Sequence, residues 1–229
     1  MRKLGLAALA GAAIMGALAA PAAHAGVVTF DDGVVGFFGD GDSFTSGGYT
    51  FTQGGGSFGG VADGGTFSIF ANAPTGNSTQ FYGGFNDSSV TMTRSSGQTH
   101  FKLSGLDFGF ISAIGGIYNP GDEPGALMVS AHGLDGSTYS LLASFGGADG
   151  NGEFGFQSLV GGDLSTWGFV DSVTFSACTF DGAGGCATPF FNLNQFALDN
   201  IGAVPEPGSL ALAALALGVA GSLRRRSSR

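Results

Sequence analysis

Thr99-His100-Phe101-Lys102-Leu103-Ser104-Gly105-Leu106-Asp107-Phe108-Gly109-Phe110 is the stretch from which the fold class can be read. Phe101 and Leu103 fall on one face of an extended chain, and His100 and Lys102 fall on the other. After Ser104-Gly105, read as a turn, Leu106, Phe108 and Phe110 alternate with Asp107 and Gly109. Period two with aromatic and aliphatic inward positions is the pattern of half-buried strands, because successive side chains of a strand point to opposite faces.

The pattern recurs along the chain. Leu127, Val129 and Ala131 alternate with Met128, Ser130 and His132, and Val173, Phe175 and Ala177 alternate with Ser172, Thr174 and Ser176. Further strands are expected at 27–30, 49–52, 66–70, 80–85, 89–93, 138–142, 154–157 and 190–200. Glycine separates them, 44 in all, beside 22 phenylalanines. A disordered chain would lack the aromatics. No amphipathic helix of ordinary length is legible between the two ends. The expected fold is all-β, a single β-sandwich. Asp135-Gly136 is the strongest hairpin signal, between strands at 126–132 and 137–142. Asp122-Glu123-Pro124-Gly125 and Asp149-Gly150-Asn151-Gly152 read as exposed loops, and 54–60 as a glycine loop.

The two ends have a different character. Arg2 and Lys3, the apolar Leu4 to Ala20 and the small residues of Ala23-His24-Ala25 form a signal peptide, with cleavage expected after Ala25. At the other end stand Val204-Pro205-Glu206-Pro207, an apolar run over 209–223 and a basic tail over 224–229. The prolines make a stiff break that no core element tolerates. The run has 15 residues, short of the roughly 20 that span a bilayer, so it is expected to be a transient inner-membrane anchor. The arginines behind it would stay in the cytoplasm. The chain therefore divides into a signal peptide (1–25), one sandwich domain (26–203) and a sorting segment (204–229).

Pro205, Glu206 and Pro207, followed by a short apolar helix and a basic cluster, resemble the PEP-CTERM sorting signal of Gram-negative bacteria. The resemblance implies processing by an exosortase, a membrane transpeptidase, and delivery to the envelope surface or extracellular matrix. It covers the tail only.

Without its two ends the chain keeps Arg94 and Lys102 against sixteen acidic side chains, a net charge of −14. Nucleic acid and anionic lipid are disfavoured partners, since binding them depends on basic contacts to phosphate. Cations and neutral glycans are not. Cys178 and Cys186 bracket a short glycine-rich loop, and in an exported chain such a pair is most simply a disulfide.

Asp31-Asp32-Gly33 opens the domain and Asp199-Asn200-Ile201 closes it. This pairing resembles the calcium-binding jelly-roll sandwiches of carbohydrate-binding modules, in which the first and last strands lie side by side. It implies a jelly-roll and a structural Ca²⁺ shared by Asp31, Asp32 and Asp199, since calcium takes about six to eight oxygen ligands. Asp40-Gly41-Asp42 and Asp149–Glu153 do not continue as EF-hand loops and read as solvated turns.

Catalytic patterns are weak. Gly55-Gly56-Ser57-Phe58-Gly59 matches a nucleophile elbow, which needs a strand before it and a helix after it, but lies in a glycine tract of an all-β chain where chance matches are expected. His100 and His132 lie on outward faces, and Glu123 and Glu153 sit in or beside loops. No enzyme is expected; a polysaccharide-active enzyme is the third reading, and the scarcity of Glu and His argues against it. Sugar-stacking aromatics are sought among Trp167 and Tyr118, with Tyr49, Tyr82 and Tyr139 behind them. The expected role is a non-enzymatic surface or matrix protein that binds exopolysaccharide or another neutral glycan. The alternative is a self-associating adhesive or scaffold protein of the biofilm matrix, for which the Gly- and Phe-rich strands would be the working surface.

Overall fold

The computed structural model describes residues 26–96, 100–181, 185–186 and 193–206. The signal segment, Pro207, the apolar run 209–223 and the basic tail lie outside the described residues. Among the described residues no helix is long and apolar enough to cross a membrane.

Five strands open the domain: β1 (Gly26–Val28), β2 (Gly36–Phe38), β3 (Ser43–Ser46), β4 (Tyr49–Gly54) and β5 (Phe58–Ala62). A single helical turn follows, α1 (Gly64–Phe67), capped by Asp63, whose carboxylate accepts from the Thr66 amide at 2.7 Å. Next come β6 (Ala71–Asn72), β7 (Phe81–Phe85), β8 (Ser89–Arg94), β9 (Phe101–Phe110), β10 (Ser112–Ala113) and β11 (Gly125–Gly133). The last four strands are β12 (Thr138–Ser144), β13 (Gln157–Val160), β14 (Val170–Thr179) and β15 (Phe196–Pro205), with a 3₁₀ turn at Gly162–Thr166.

The main strands make a β-sandwich. One layer runs β12-β11-β14-β8-β4-β3. The other runs β2-β5-β7-β15-β9-β13. Among the described residues a single pairing, Val170 with Phe101, links the two layers. The first strand pairs the last: β1 lies antiparallel to β15 with Gly26 opposite Ala203. Phe51, Met92, Val129 and Phe175 from the first layer meet Tyr82, Leu103, Leu198 and Ile201 from the second in one core. At its centre the Tyr82 hydroxyl donates to the Gln53 side-chain oxygen, a buried hydrogen bond between β7 and β4.

The second layer is buried on its outer face too. Even-numbered Tyr82 faces the sandwich core, while Phe81 and Phe85 face outward into a smaller cluster with Ala62, Phe67, Ile111 and Ala197. The helical turn and the chain to Phe70 roof this face. Glycine and phenylalanine have complementary roles here. A Cβ on Gly60 would come within 2.6 Å of the Phe37 ring, and one on Gly84 within 2.5 Å of the Phe196 ring. The glycines are the floors on which rings lie, which accounts for two unusual abundances at once.

Four sequence expectations are corrected. Ser104-Gly105 is no turn: β9 runs through it, and the buried set shifts from Phe101 and Leu103 to Leu106, Phe108 and Phe110. Residues 66–70 hold the end of α1 instead of a strand, because the Asp63 cap starts a helical turn there. The glycine loop ends early, since 58–62 form β5. The strand expected at 154–157 begins at Gln157. The β11–β12 hairpin stands as read, with Gly136 at φ 79° in its turn. Cys178 and Cys186 form the disulfide, their Cα atoms 5.4 Å apart.

Candidate functional site

Two neighbouring segments set the geometry of a polar hollow on the second layer. Phe30 sits at φ 57°, a left-handed conformation that costs a bulky residue energy, and its ring is fully buried in the core. Burying that ring turns Asp31 outward. In β15, Asn200 sits at φ 48°. Here β15 changes partner, from β7 at Phe196–Leu198 to β1 at Ile201–Ala203. The kink leaves Leu198 and Ile201 both in the core and puts Asp199 on the outer face.

The hollow has a volume of about 280 Å³, and Asp31, Asn77, Asp107, Asp199, Asn200 and Phe156 are among its lining residues. Asp199 is only 2% exposed. It accepts from the Asn77 amide at 2.6 Å and from the Asn200 backbone at 2.7 Å. Asp107, which alternates outward from Leu106 and Phe108, accepts from the Asn200 side chain at 2.8 Å and from Ser158. Asp31 accepts from the Gln80 amide at 3.1 Å. Asn77 is held in turn, its oxygen accepting from the amide and hydroxyl of Thr79. Burial, reinforced by the neighbouring Asp31 and Asp107 charges, pushes the Asp199 carboxyl up to about 6 against the hydrogen bonds from Asn200 and Asn77.

The expected calcium trio does not assemble. Asp32 points the other way, accepting from the Ser46 hydroxyl at 3.0 Å and the Gly47 amide at 2.9 Å, where it pins the β3–β4 turn. Asp107 occupies the place expected for Asp32. Among the described residues no group of three His, Cys, Asp or Glu side chains is arranged to hold one metal ion. The oxygens suit calcium in kind, and each oxygen of Asp199 also accepts one hydrogen bond, from Asn77 or from the Asn200 backbone. Asp107 and Asn77 were absent from the sequence-based site. The outward position of Asp107 within its alternating strand was the only signal that could have flagged it.

The aromatics are also redistributed. Trp167 is 4% exposed, with its indole stacked on Tyr139 at 5.4 Å and 21°. It has no open face for a sugar, which corrects its expected role. Tyr118 is half-buried, set edge-on to Phe110 and Phe154. Tyr49 and Tyr82 are core residues. The exposed rings are phenylalanines at the other end of the same face, where Phe37, Phe38, Gly39, Phe58 and Phe70 line an apolar hollow of about 360 Å³. Ser57 lies in the turn between β4 and β5, joining two strands and not a strand to a helix, and Asp42 and Asp149 cap their own turns through Gly39 and through Asn151 and Glu153.

The chain carries a PEP-CTERM protein-sorting motif over residues 203–226. The motif therefore begins inside β15 and covers Pro205, Glu206 and Pro207. No curated protein matches the chain. Among solved structures, TmCBM61 in complex with β-1,4-galactotriose is similar at 10% identity and TM-score 0.35, over 69% of this chain and 88% of that one. A variant of CBM29-2, a Family 29 carbohydrate-binding module, is similar at 13% identity and TM-score 0.32, over 74% and 91%. The enzymatically active domain of bacteriophage CBA120 tailspike protein 4 is similar at 10% identity and TM-score 0.33, over 69% of this chain and 19% of that one.

Proposed function

We propose that this is an exported, exosortase-processed protein of the envelope surface or extracellular matrix whose sandwich binds a neutral glycan without catalysis. The observation that supports the binding reading is the convergence of Asp31, Asn77, Asp107, Asp199 and Asn200 beside the Phe156 ring in one polar hollow. Carboxylate and carboxamide groups accept and donate to sugar hydroxyls, and an adjacent ring offers a partner for the apolar face of a pyranose. The domain's charge of −14 favours a neutral chain over an anionic one. Exopolysaccharide of the producing cell is the natural ligand class for a protein placed at that surface.

Calcium enters as the competing occupant of the same oxygens. The test is a panel of neutral and acidic oligosaccharides bound to the exported protein, with calcium and again with a chelator. Asp107→Ala and Asn77→Ala are expected to weaken binding about tenfold each, the scale of one hydrogen bond involving a charged group. Binding that persists in chelator supports hydroxyl recognition by the carboxylates. Binding lost in chelator would assign Asp31, Asp107 and Asp199 to a cation instead. Unchanged binding in both variants removes the hollow as the site.

A further inference from the structure

The first and last strands of the sandwich meet at one end of one ladder. β1 runs antiparallel to β15, with Gly26 opposite Ala203, Val27 opposite Gly202 and Val28 opposite Ile201. Gly26 is the residue after the expected signal cleavage, and Ala203 is the first residue of the sorting match over 203–226. Partners in such a ladder have Cα atoms about 4.5–5.5 Å apart. The ladder is anchored, because Val28, Ile201 and Ala203 are all buried in the core. β15 continues past it to Pro205, which offers no backbone donor. The far flank of β15 belongs to β9. The Asn200 side chain donates to Asp107 there, and a Cβ on Gly202 would come within 2.6 Å of the Ser104 hydroxyl. The flank left for an enzyme to approach Val204, Pro205 and Glu206 is the one on the β1 side.

We infer that the chain is processed in a fixed order, in which removal of the segment before Gly26 opens the sorting motif to the exosortase. This rests on the chain being exported and exosortase-processed, and it adds the order of the two cuts. An extended segment is gripped along its edge, through backbone bonds and side-chain pockets. In the unprocessed chain that edge of the motif is obstructed. Two residues of chain span at most about 7 Å, so an uncleaved signal segment leaves from beside Ala203 and cannot clear the motif within its first residues. Signal cleavage is a hydrolysis: water adds across the Ala25–Gly26 peptide bond, leaving a carboxylate on Ala25 and an ammonium on Gly26. The β1 flank beyond Gly26 is then free of chain. The second step breaks a peptide bond at Pro205-Glu206-Pro207. Its acyl carbon passes to the enzyme's nucleophile and then to water or an acceptor amine, and the nitrogen of the released tail takes up the proton that the nucleophile gives up. β1 itself stays in the ladder throughout, because Val28 is 1% exposed and held by the core. The order comes from what precedes Gly26.

The test is the intact mass of the full chain co-expressed with an exosortase in a Gram-negative host, since one mass reads both cuts. Alkylation before and after reduction reports the Cys178–Cys186 disulfide, and with it the export and folding of each variant. Ala23→Leu combined with Ala25→Leu removes the small residues that signal cleavage needs. The native chain is expected to lose both ends. The signal-retaining variant is expected to lose cleavage at the motif and so keep its C-terminal segment. A flexible Gly-Ser linker of about 20 residues, inserted between positions 25 and 26 of that variant, carries the retained segment away from β15. Cleavage at the motif is then expected to return. Two results overturn the order: motif cleavage at the native level in the signal-retaining variant, or a loss of cleavage that the linker does not restore. A native chain that keeps its C-terminal segment overturns the exosortase reading itself, and the order with it.

Discussion

Asp199 shows how a single residue carries the consequences of its surroundings. It is an ordinary acid in the sequence, but in the fold it lies between Asn77 and Asn200 with Asp31 and Asp107 nearby. Its carboxyl is raised from 3.8 to about 6, with burial the largest cause. The folded chain thus holds the proton more tightly than the unfolded chain does. The resulting stabilisation is fully present below about pH 4 and is lost as pH rises through about 6. Thermal melts from pH 3.5 to 7.5 test this. Over pH 4–6 the wild-type Tm is expected to fall relative to that of Asp199→Asn, which cannot titrate. Parallel profiles would show that Asp199 has no raised affinity for its proton.

At the scale of elements, the second layer depends on glycine strands lying under rings. Gly59 in β5 illustrates it: an added Cβ would lie 2.2 Å from the Tyr82 hydroxyl and 2.5 Å from the Gln53 oxygen. Those two groups form the buried hydrogen bond between the layers. Gly59→Ala is therefore expected to cost about 2–4 kcal/mol, combining overpacking with a broken buried pair. Gly150, with nothing within 4 Å of an added Cβ, should accept alanine within about 0.5 kcal/mol. Urea unfolding of the two variants makes the comparison, and equal midpoints would contradict the packing account. The strands read correctly were those whose alternation uses β-branched and aromatic residues, such as β11 and β14. Those missed or misplaced include β2, β3, β5, β6, β10 and β13. In β5, Gly59-Gly60 has no side chain to alternate, so a strand reads as a loop.

For the whole molecule, the sorting motif begins within the last described strand of the sandwich. Among the described residues Ala203 is the last fully buried one, Pro205 closes β15 and the motif match spans 203–226. Cleavage at Pro205-Glu206-Pro207 would leave the core strand Phe196–Val204 in place. Replacing Glu206 and both prolines by alanine is expected to leave a larger, cell-associated precursor, while the native chain appears at the smaller processed mass. Immunoblots of cell and medium fractions make the distinction, and equal processing of both chains would dissociate the motif from maturation.

What the sequence determined by itself was the class and the destination. Period-two alternation fixes an all-β chain because it reflects a strand's own geometry, the Cys178–Cys186 spacing suffices for a short bridge, and the sorting signal is read as a linear order of residues. The pairing of opening and closing strands was implied by the resemblance to carbohydrate-binding modules, and β1 does pair β15. Only the tertiary structure decided which acids meet. Asp31 and Asp32 are adjacent in the chain, yet they part because burial of the Phe30 ring in a left-handed conformation directs one toward the hollow while the other pins the β3–β4 turn. Asp107 joins Asp199 because β9 lies beside β15. The same holds for the rings: Trp167 is covered by Tyr139 and Phe37 is left open at a layer's edge. Exposure and convergence belong to strand order, a long-range property that residue spacing does not encode.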